Sequence, residues 1–256
     1  HCLEAARAVA DQGVSVEVVD LRTLRPLDEE TKRVIGAWAT WRTCENSLGP
    51  RPNRIGPDNC PAVIPAEAMF DGVMDSRDAV TLAGLPVAVA FFRALDPQVE
   101  IEMLHRDGDR VAAGTDLMRI RGKARAMLTA ERSALNTVQH LTGIATMTRA
   151  YVDAIMGTGA TLLDTRKTIP GLRVLEKYAT RMGGATNHRM GLWDAAMIKD
   201  NHVAVAGSVE EAVRRAVAAG VERIIVEVDR IDQIEPALSA GATHLLLDNM
   251  AAPVLR

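Results

Sequence analysis

In the second half of the chain, short apolar runs stop at a charged residue and give way to amphipathic stretches, the alternation of a β/α repeat. The runs are Thr161 to Lys167 (TLLDTRK), Ala195 to Lys199 (AAMIK, followed by Asp200, Asn201 and His202), Ile224 to Asp229 (IIVEVD) and Leu245 to Asp248 (LLLD). Each reads as a strand, and the stretches between them read as helices. Ser208 and Glu211 make an S-x-x-E capping box that starts one helix. Gly220 ends that helix and Gly241 ends the next. The step from Val226 to Leu246 is the length of one βα unit in a parallel sheet.

The first half is less regular. Leu3, Ala6 and Val9 or Ala10 predict a helix over Cys2 to Ala10, stopped by Gly13, and Val14 to Leu21 alternates as a strand. Asp28 caps a further short helix from Glu29 to about Gly36. Between Thr40 and Pro61 no helical or strand period survives the prolines and glycines, and this stretch reads as a junction. Beyond it Ala62 to Val80 alternates loosely, and Pro86 opens an apolar helix from Val87 to Leu95. Val99 to Leu104 alternates as a strand, and Gly108 to Gly122 gives two short strands turned by Gly114. One helical pattern then runs from Met127 to Val152 and is expected to break near Gly143.

Composition narrows the partners. A net charge of -3 gives no basic surplus for a phosphate backbone, so nucleic acid is not expected. The longest apolar stretch, Leu82 to Leu95, contains Arg93 and falls short of the ~20 residues that span a bilayer, so no membrane segment is expected. No signal-peptide pattern opens the sequence at His1, which points to the cytoplasm. Cys2, Cys44 and Cys60 are scattered and form neither a disulfide framework nor CxxC pairs, so free thiols are expected.

The chemistry lies where the strands stop. Ligands of open and closed α/β sheets gather outside the carboxyl ends of the strands. One charged residue there is as readily a solvated loop residue. Lys167, Lys199, Glu227 and Asp248 in succession favour a site. Arg166, Lys167, His188, Arg189 and Lys199 would build a cationic pocket, and the planar fork of arginine suits carboxylate or phosphate. Glu227 and Asp248 supply oxygens for a ribose diol or a hard divalent cation. The set points to an anionic substrate and a phosphorylated sugar.

Four phrases make this specific: ERSALN (Glu131 to Asn136), DTRKTIPGLRVLEKYA (Asp164 to Ala179), GGATNHRMGLWD (Gly183 to Asp194) and IKDNH (Ile198 to His202). In order and spacing they resemble the quinolinate phosphoribosyltransferases, also called nicotinate-nucleotide pyrophosphorylases (carboxylating), from about Asp58 to Arg256. The resemblance implies an enzyme that joins quinolinate to phosphoribosyl pyrophosphate with magnesium, giving nicotinate mononucleotide, pyrophosphate and carbon dioxide. By that likeness Arg132, Arg166, Lys167, His188, Arg189 and Lys199 hold the two carboxylates of quinolinate. Glu227 and Asp248 meet the ribose hydroxyls and the magnesium, and Lys167, Lys199, Glu227 and Asp248 form the catalytic set. Family members are homodimers in which the arginine of ERSALN enters the neighbour's pocket, so Arg132 is expected to act across an interface.

The implied fold class is α/β: an incomplete, open barrel of parallel strands over 127–256, preceded by a small α+β domain over 62–126. Val16 to Thr31 (VEVVDLRTLRPLDEET) resembles part of the C-terminal domain of transketolase-like proteins, notably the pyruvate dehydrogenase β subunit. That gives a fragment over 1–43 and a junction over 44–61. Family members continue for two strands beyond the point corresponding to Arg256, so an exposed sheet edge is expected at Leu245 to Leu247.

Other residues read plainly. His140 reads as packed in a helix, His105 and His244 as surface or strand-flank residues, Lys177 as a partner of Glu176 or a neighbour, and Trp193 as a core or subunit contact. Without the family likeness, Glu131 and Arg132 read as a helix cap. Gly108 to Gly122 is similar to the hammerhead of lipoyl and biotinyl domains, but no lysine stands at the turn to carry their cofactor. Three alternatives stay open: a relative acting on another anionic ring, a molybdenum-transport homologue, and a non-catalytic remnant or interaction piece.

Overall fold

The computed structural model describes residues 17–18, 40–43, 63–251 and 253–255. The helices expected over Cys2 to Ala10 and Glu29 to Gly36, and the junction over 44–61, lie outside them. Contacts divide the chain into two units. One, the antiparallel unit, comprises Arg22–Val152 and Val174–Ala185; the other, the parallel unit, comprises His1–Leu21, Asp153–Arg173 and Thr186–Arg256.

Strands are numbered in chain order from β1 (Glu17–Val18) and β2 (Thr40–Thr43). The antiparallel unit contains β2, β3 (Met69–Asp75), β4 (Val80–Thr81), β5 (Glu100–Met103), β6 (Arg110–Val111) and β7 (Asp116–Lys123). A sheet of order β2-β3-β7-β5 is antiparallel throughout, and β4 pairs with β6. Along β7, Met118, Ile120 and Gly122 are buried while Arg119, Arg121 and Lys123 face water, the period of two that a one-sided sheet requires. Arg119 pairs across the strands with Glu102 at 3.2 Å. The two strands expected around Gly114 exist but are not a hairpin: β6 bonds to β4, and β7 to β3 and β5. Both edges of β7 are taken by β3 and β5, which leaves neither for β6.

Helix α1 (Leu85–Leu95) buries Leu85, Ala88 and Phe92, spaced along one face. Gly84 precedes it at φ 97°, and a Cβ there would stand 2.8 Å from Leu141 Cδ1, so glycine fits on both backbone and space grounds. Asp107 supplies the cap from a distance: its carboxylate accepts the Gly84 N–H at 2.7 Å and the Leu85 N–H at 3.0 Å.

Helix α2 (Ala124–Ala154) is one unbroken element, which corrects the expected break near Gly143. Its buried stripe continues from Met127 through Leu141 and Ala145 to Thr148. Thr142 and Thr146, on either side of the glycine, hold the β4–α1 connection: the Ala83 N–H donates to Thr142 Oγ1 at 3.1 Å and the Thr81 N–H to Thr146 Oγ1 at 2.9 Å. A helical glycine costs only about 1 kcal/mol, too little to break a helix anchored on both sides of it. Glu131 and Arg132 sit inside α2, away from its ends, so neither caps it. Helix α3 (Arg173–Met182) buries Ala179 against a small cluster of Ala83, Leu141 and Ala145.

In the parallel unit, β8 (Thr161–Leu162) pairs with β1, Glu17 opposite Thr161. Strands β9 (Ala196–Ile198), β10 (Ile224–Val228) and β11 (His244–Leu247) form one parallel sheet of order β11-β10-β9. Three helices follow: α4 (Asp200–Ala206), α5 (Val209–Ala218) and α6 (Ile234–Ser239). Ile198, Ile224, Val226 and Val228 face a core shared with Val209, Val213 and Ala237 of the helices. The Ser208 hydroxyl accepts the Glu211 N–H, one half of the expected capping box. The Glu211 carboxylate binds Arg214 and Arg215. Among the described residues β11 bonds only to β10, and Leu247 is 42% exposed.

The first apolar run is a shorter strand than expected, because β8 stops at Leu162 and is followed by a single bridge from Leu163 to Thr186. Thr186 N–H donates to Leu162 O at 2.8 Å, and Asp164 N–H to Thr186 O at 3.2 Å. A segment with no apolar run, Ala185 to Arg189, therefore lies alongside β8. No helix among the described residues is long and apolar enough to cross a membrane.

Candidate functional site

The sheet order sets which side chains share a face. Neighbours in register on parallel strands point the same way. Ile198 pairs with Val226, so Lys199 comes opposite Glu227, and Lys199 Nζ donates to Glu227 Oε2 at 2.5 Å. Glu227 pairs with Leu246, and Asp248, two residues on, stands on the same face by alternation. Met197 is also on this face, two residues before Lys199. The opposite face, with Ile198, Val226 and Val228, is the helix-covered core. Glu227 lies within β10 rather than after it, while Lys199 and Asp248 follow their strands directly.

Arg189 joins this face from the neighbouring loop. It is 6% exposed; its Nη1 donates to the Ala195 carbonyl at 3.1 Å and its Nη2 to the Met197 sulfur at 3.0 Å. Both acceptors are neutral, and the buried Nε has no partner among the described residues. Burial first, and then the like charge of Arg166, hold the guanidinium below its usual range, with Asp194 opposing. Asp194 itself is pushed up by burial, but the amides of Met190, Asp194 and Gly191 and the charge of Arg189 bring its carboxyl below the usual value. A buried cation with an unfilled donor is costly unless an anion arrives to meet it.

Arg166 and Lys167 lie on the loop after β8. Arg166 is half-buried and close enough to Arg189 to act on its charge; Lys167 is exposed, and its N–H donates to Thr165 Oγ1 at 3.1 Å. His188 is half-buried and its N–H donates to Asp164 at 2.7 Å. Arg132 is exposed on α2, in the antiparallel unit. The structure thus gathers Arg189, Lys199, Glu227 and Asp248 on one face, with Arg166 beside Arg189.

Sequence reasoning missed two residues here. Asp164 is 2% exposed, and its carboxylate accepts the His188 N–H and Asn187 Nδ2, both at 2.7 Å. Arg173 donates from Nε to Thr168 Oγ1 at 3.2 Å, and from Nη1 and Nη2 to the Met190 and Arg166 carbonyls, both at 3.3 Å. Both stood inside a quoted motif. The signal for Asp164 was a carboxylate opening a run of cations.

Other readings are settled more simply. Trp193 is 83% exposed, so it is not a core residue of this chain. His140 bonds to Glu176 at 2.8 Å, and Lys177 is fully buried. His105 is half-buried and His244 exposed. Among the described residues, no three His, Cys, Asp or Glu side chains group as a metal cage.

Three family profiles match the chain: the C-terminal domain of quinolinate phosphoribosyl transferase over residues 144–256, its N-terminal domain over 58–142, and the transketolase C-terminal domain over 1–38. A nicotinate-nucleotide pyrophosphorylase (carboxylating) of Mycobacterium leprae is 46% identical over 191 residues, covering 73% of this chain and 67% of the relative. A probable enzyme of the same name from Synechocystis is 46% identical over 182 residues, covering 70% of this chain and 62% of the relative. The chain therefore spans about two thirds of the length of these relatives. The crystal structure of NadC from Streptococcus pyogenes superposes with a TM-score of 0.74 at 36% identity, covering 93% of this chain and 82% of that one. The α/β class expected from the sequence agrees with these neighbours. With parallel strands that end in paired charges and both domain profiles matched in order, the chain belongs to the quinolinate phosphoribosyltransferase family.

Proposed function

We propose that this chain transfers the phosphoribosyl group of phosphoribosyl pyrophosphate to quinolinate and decarboxylates the product to nicotinate mononucleotide, a step of NAD biosynthesis. The observation that carries this reading is the buried Arg189 guanidinium, its Nε unfilled among the described residues, on the same sheet face as Lys199, Glu227 and Asp248. The names of the relatives supply the substrate.

In this reading Arg132, Arg166, Lys167, His188, Arg189 and Lys199 receive the dicarboxylate. Lys199 and Glu227 neutralise each other before substrate arrives. A ring carboxylate would then take over Lys199 while a ribose hydroxyl donates to Glu227, so the pair exchanges one partner each without leaving a charge bare. The ring nitrogen bonds to C1 of the ribose as the bond from C1 to pyrophosphate breaks, its electron pair leaving with pyrophosphate. Positioning and charge stabilisation carry that step. The carboxylate next to the now cationic ring nitrogen departs as carbon dioxide, its bonding pair drawn toward that nitrogen, and a proton takes its place. Lys167, Lys199, Glu227 and Asp248 are the catalytic set.

Magnesium fits the donors present: two carboxylates on one face suit a cation that keeps waters and takes substrate phosphate oxygens. Glu227 and Asp248 would hold it, and when bound it would neutralise charge on the pyrophosphate. The domain organisation we propose is a transketolase-like fragment over 1–43, a junction over 44–61, an α+β domain over 62–126 and the catalytic α/β domain over 127–256. The protein is cytoplasmic and homodimeric in this reading, with Arg132 reaching the pocket of a second copy.

The test is to supply the full chain with phosphoribosyl pyrophosphate, magnesium and either quinolinate or nicotinate. Quinolinate should yield nicotinate mononucleotide, pyrophosphate and carbon dioxide in equal amounts, and nicotinate should yield nothing. Preference for nicotinate would replace this reading with the relative acting on another ring. A folded chain that turns over neither would favour the second reading, an interaction piece, for which the transketolase-type match over residues 1–38 is the specific support.

A further inference from the structure

Two polar side chains outside the proposed catalytic set join the loop that carries Arg166 and Lys167 to the segment that carries His188 and Arg189. At one end Asp164, buried at the close of β8, continues the pairing with the neighbouring segment by means of its side chain. Leu162 O, the Leu163 bridge and Asp164 N–H engage Thr186, and the carboxylate then takes the His188 N–H and Asn187 Nδ2. At the other end Arg173 spans the same two segments, with Nη2 on the Arg166 carbonyl, Nη1 on the Met190 carbonyl and Nε on Thr168 Oγ1. The Arg166 carbonyl also accepts the Thr168 N–H at 3.0 Å, so one planar guanidinium fixes the turn that presents Arg166 as well as the residue after Arg189.

The chemistry explains why these two types stand here. Arg166, Lys167 and Arg189 carry like charge on adjacent loops and repel one another, and their backbones drift apart unless something other than substrate ties them. A buried carboxylate accepts from a main-chain N–H and an amide at once and brings negative charge beneath the cluster. Arg173 adds positive charge, but its three donors, fixed in one plane, meet three neutral oxygens on two stretches of chain, a match that the point charge of an ammonium does not preset.

We propose that Asp164 and Arg173 are positioning residues, a two-ended clamp that sets the spacing between the Arg166–Lys167 loop and the His188–Arg189 segment and thereby the affinity for a small dicarboxylate. The ligand named in this inference rests on the functional reading above; the clamp does not.

The experiment uses the full chain as wild type, Asp164→Asn, Arg173→Lys and the milder Thr168→Val, which removes one acceptor of Arg173. Asn at 164 keeps the size but must turn a donor toward either the His188 N–H or Asn187. Hydrogen–deuterium exchange of peptides over 186–191 should quicken by about tenfold or more in Asp164→Asn and Arg173→Lys, and less in Thr168→Val, with other regions unchanged. Unaltered exchange in that segment overturns the clamp, whatever the ligand. Steady-state kinetics then read its consequence: the KM for quinolinate should rise about 10- to 100-fold while that for phosphoribosyl pyrophosphate stays within about twofold. A parallel loss of both, tracking a lowered Tm, would mean that the residues serve folding alone and would overturn the positioning role. A wild type that neither binds nor converts quinolinate overturns the functional reading and leaves the exchange result to judge the clamp.

Discussion

The antiparallel and parallel units differ in how one buried charged group is met. In the antiparallel unit each prominent buried or half-buried polar group has found its partner: Asp107 takes two amides and the Tyr178 hydroxyl, Asp96 takes the Gln98 and Lys123 amides, and Thr142 both accepts from and donates to Ala83. In the parallel unit Arg189 is buried against a carbonyl and a thioether, its Nε without a partner among the described residues, and Leu192, Trp193 and Val205 stand largely exposed. A region built only to be stable closes its hydrogen bonds; one built to receive a ligand leaves some of them for the ligand to make.

Substitutions can sharpen this contrast, and the largest effect is expected in the closed region. Phe92→Ala empties a fully buried site between α1 and the sheet and should cost about 3–5 kcal/mol, read as a lowered midpoint in urea unfolding. Arg189→Gln should lower kcat/KM for quinolinate by at least ~100-fold, or about 2.7 kcal/mol, with an unfolding midpoint equal to or above that of wild type, because the change removes a buried cation. A matching loss of stability would break the comparison. Asp107→Ala uncaps α1 and strands the Tyr178 hydroxyl, so about 1–3 kcal/mol of stability should go while the KM for quinolinate holds.

Alkaline pH gives a smaller and signed test. Burial first, and then the hydrogen bond to Asp107, push the Tyr178 hydroxyl up to about 12 from its ordinary 10. The folded state thus holds that proton more tightly than the unfolded chain does. This stabilisation is complete below pH 10 and is lost as the pH rises from 10 to 12, an interval set by the two values. Tyr178→Phe should flatten the stability profile over that interval; an unchanged slope would remove Tyr178 from the account. Smallest of all, Trp193→Ser should move the unfolding free energy by less than about 0.5 kcal/mol, since the ring is exposed.

Much of the fold could be read from the letters where an apolar strand ends abruptly and a helix carries its own punctuation. Ser208 caps α5, and Gly220, at φ 75°, closes its end, as their types foretell. What escaped was what depends on distant partners. Gly143 looks like a break until Thr142 and Thr146 are seen gripping the β4–α1 connection. Gly114 looks like a hairpin turn until β6 and β7 are seen bonding to other strands. The polar segment from Ala185 to Arg189 has no apolar signature, yet it pairs beside β8 through main-chain bonds, which any sequence can make. Within the proposed site, the candidate cations stood out by type and place. Asp164 and Arg173 did not, because a residue that shapes another residue's backbone leaves no period to count.

The most direct measurement of the central claim is a calorimetric titration of the full chain with quinolinate and, separately, with nicotinate, which differs by one carboxylate. If the unfilled donor of Arg189 and the exchangeable Lys199–Glu227 pair are there for a dicarboxylic acid, quinolinate should bind at one site per chain, at least tenfold more tightly than nicotinate and more weakly as salt is added. Equal affinity for the two acids, or no heat with either, would contradict it.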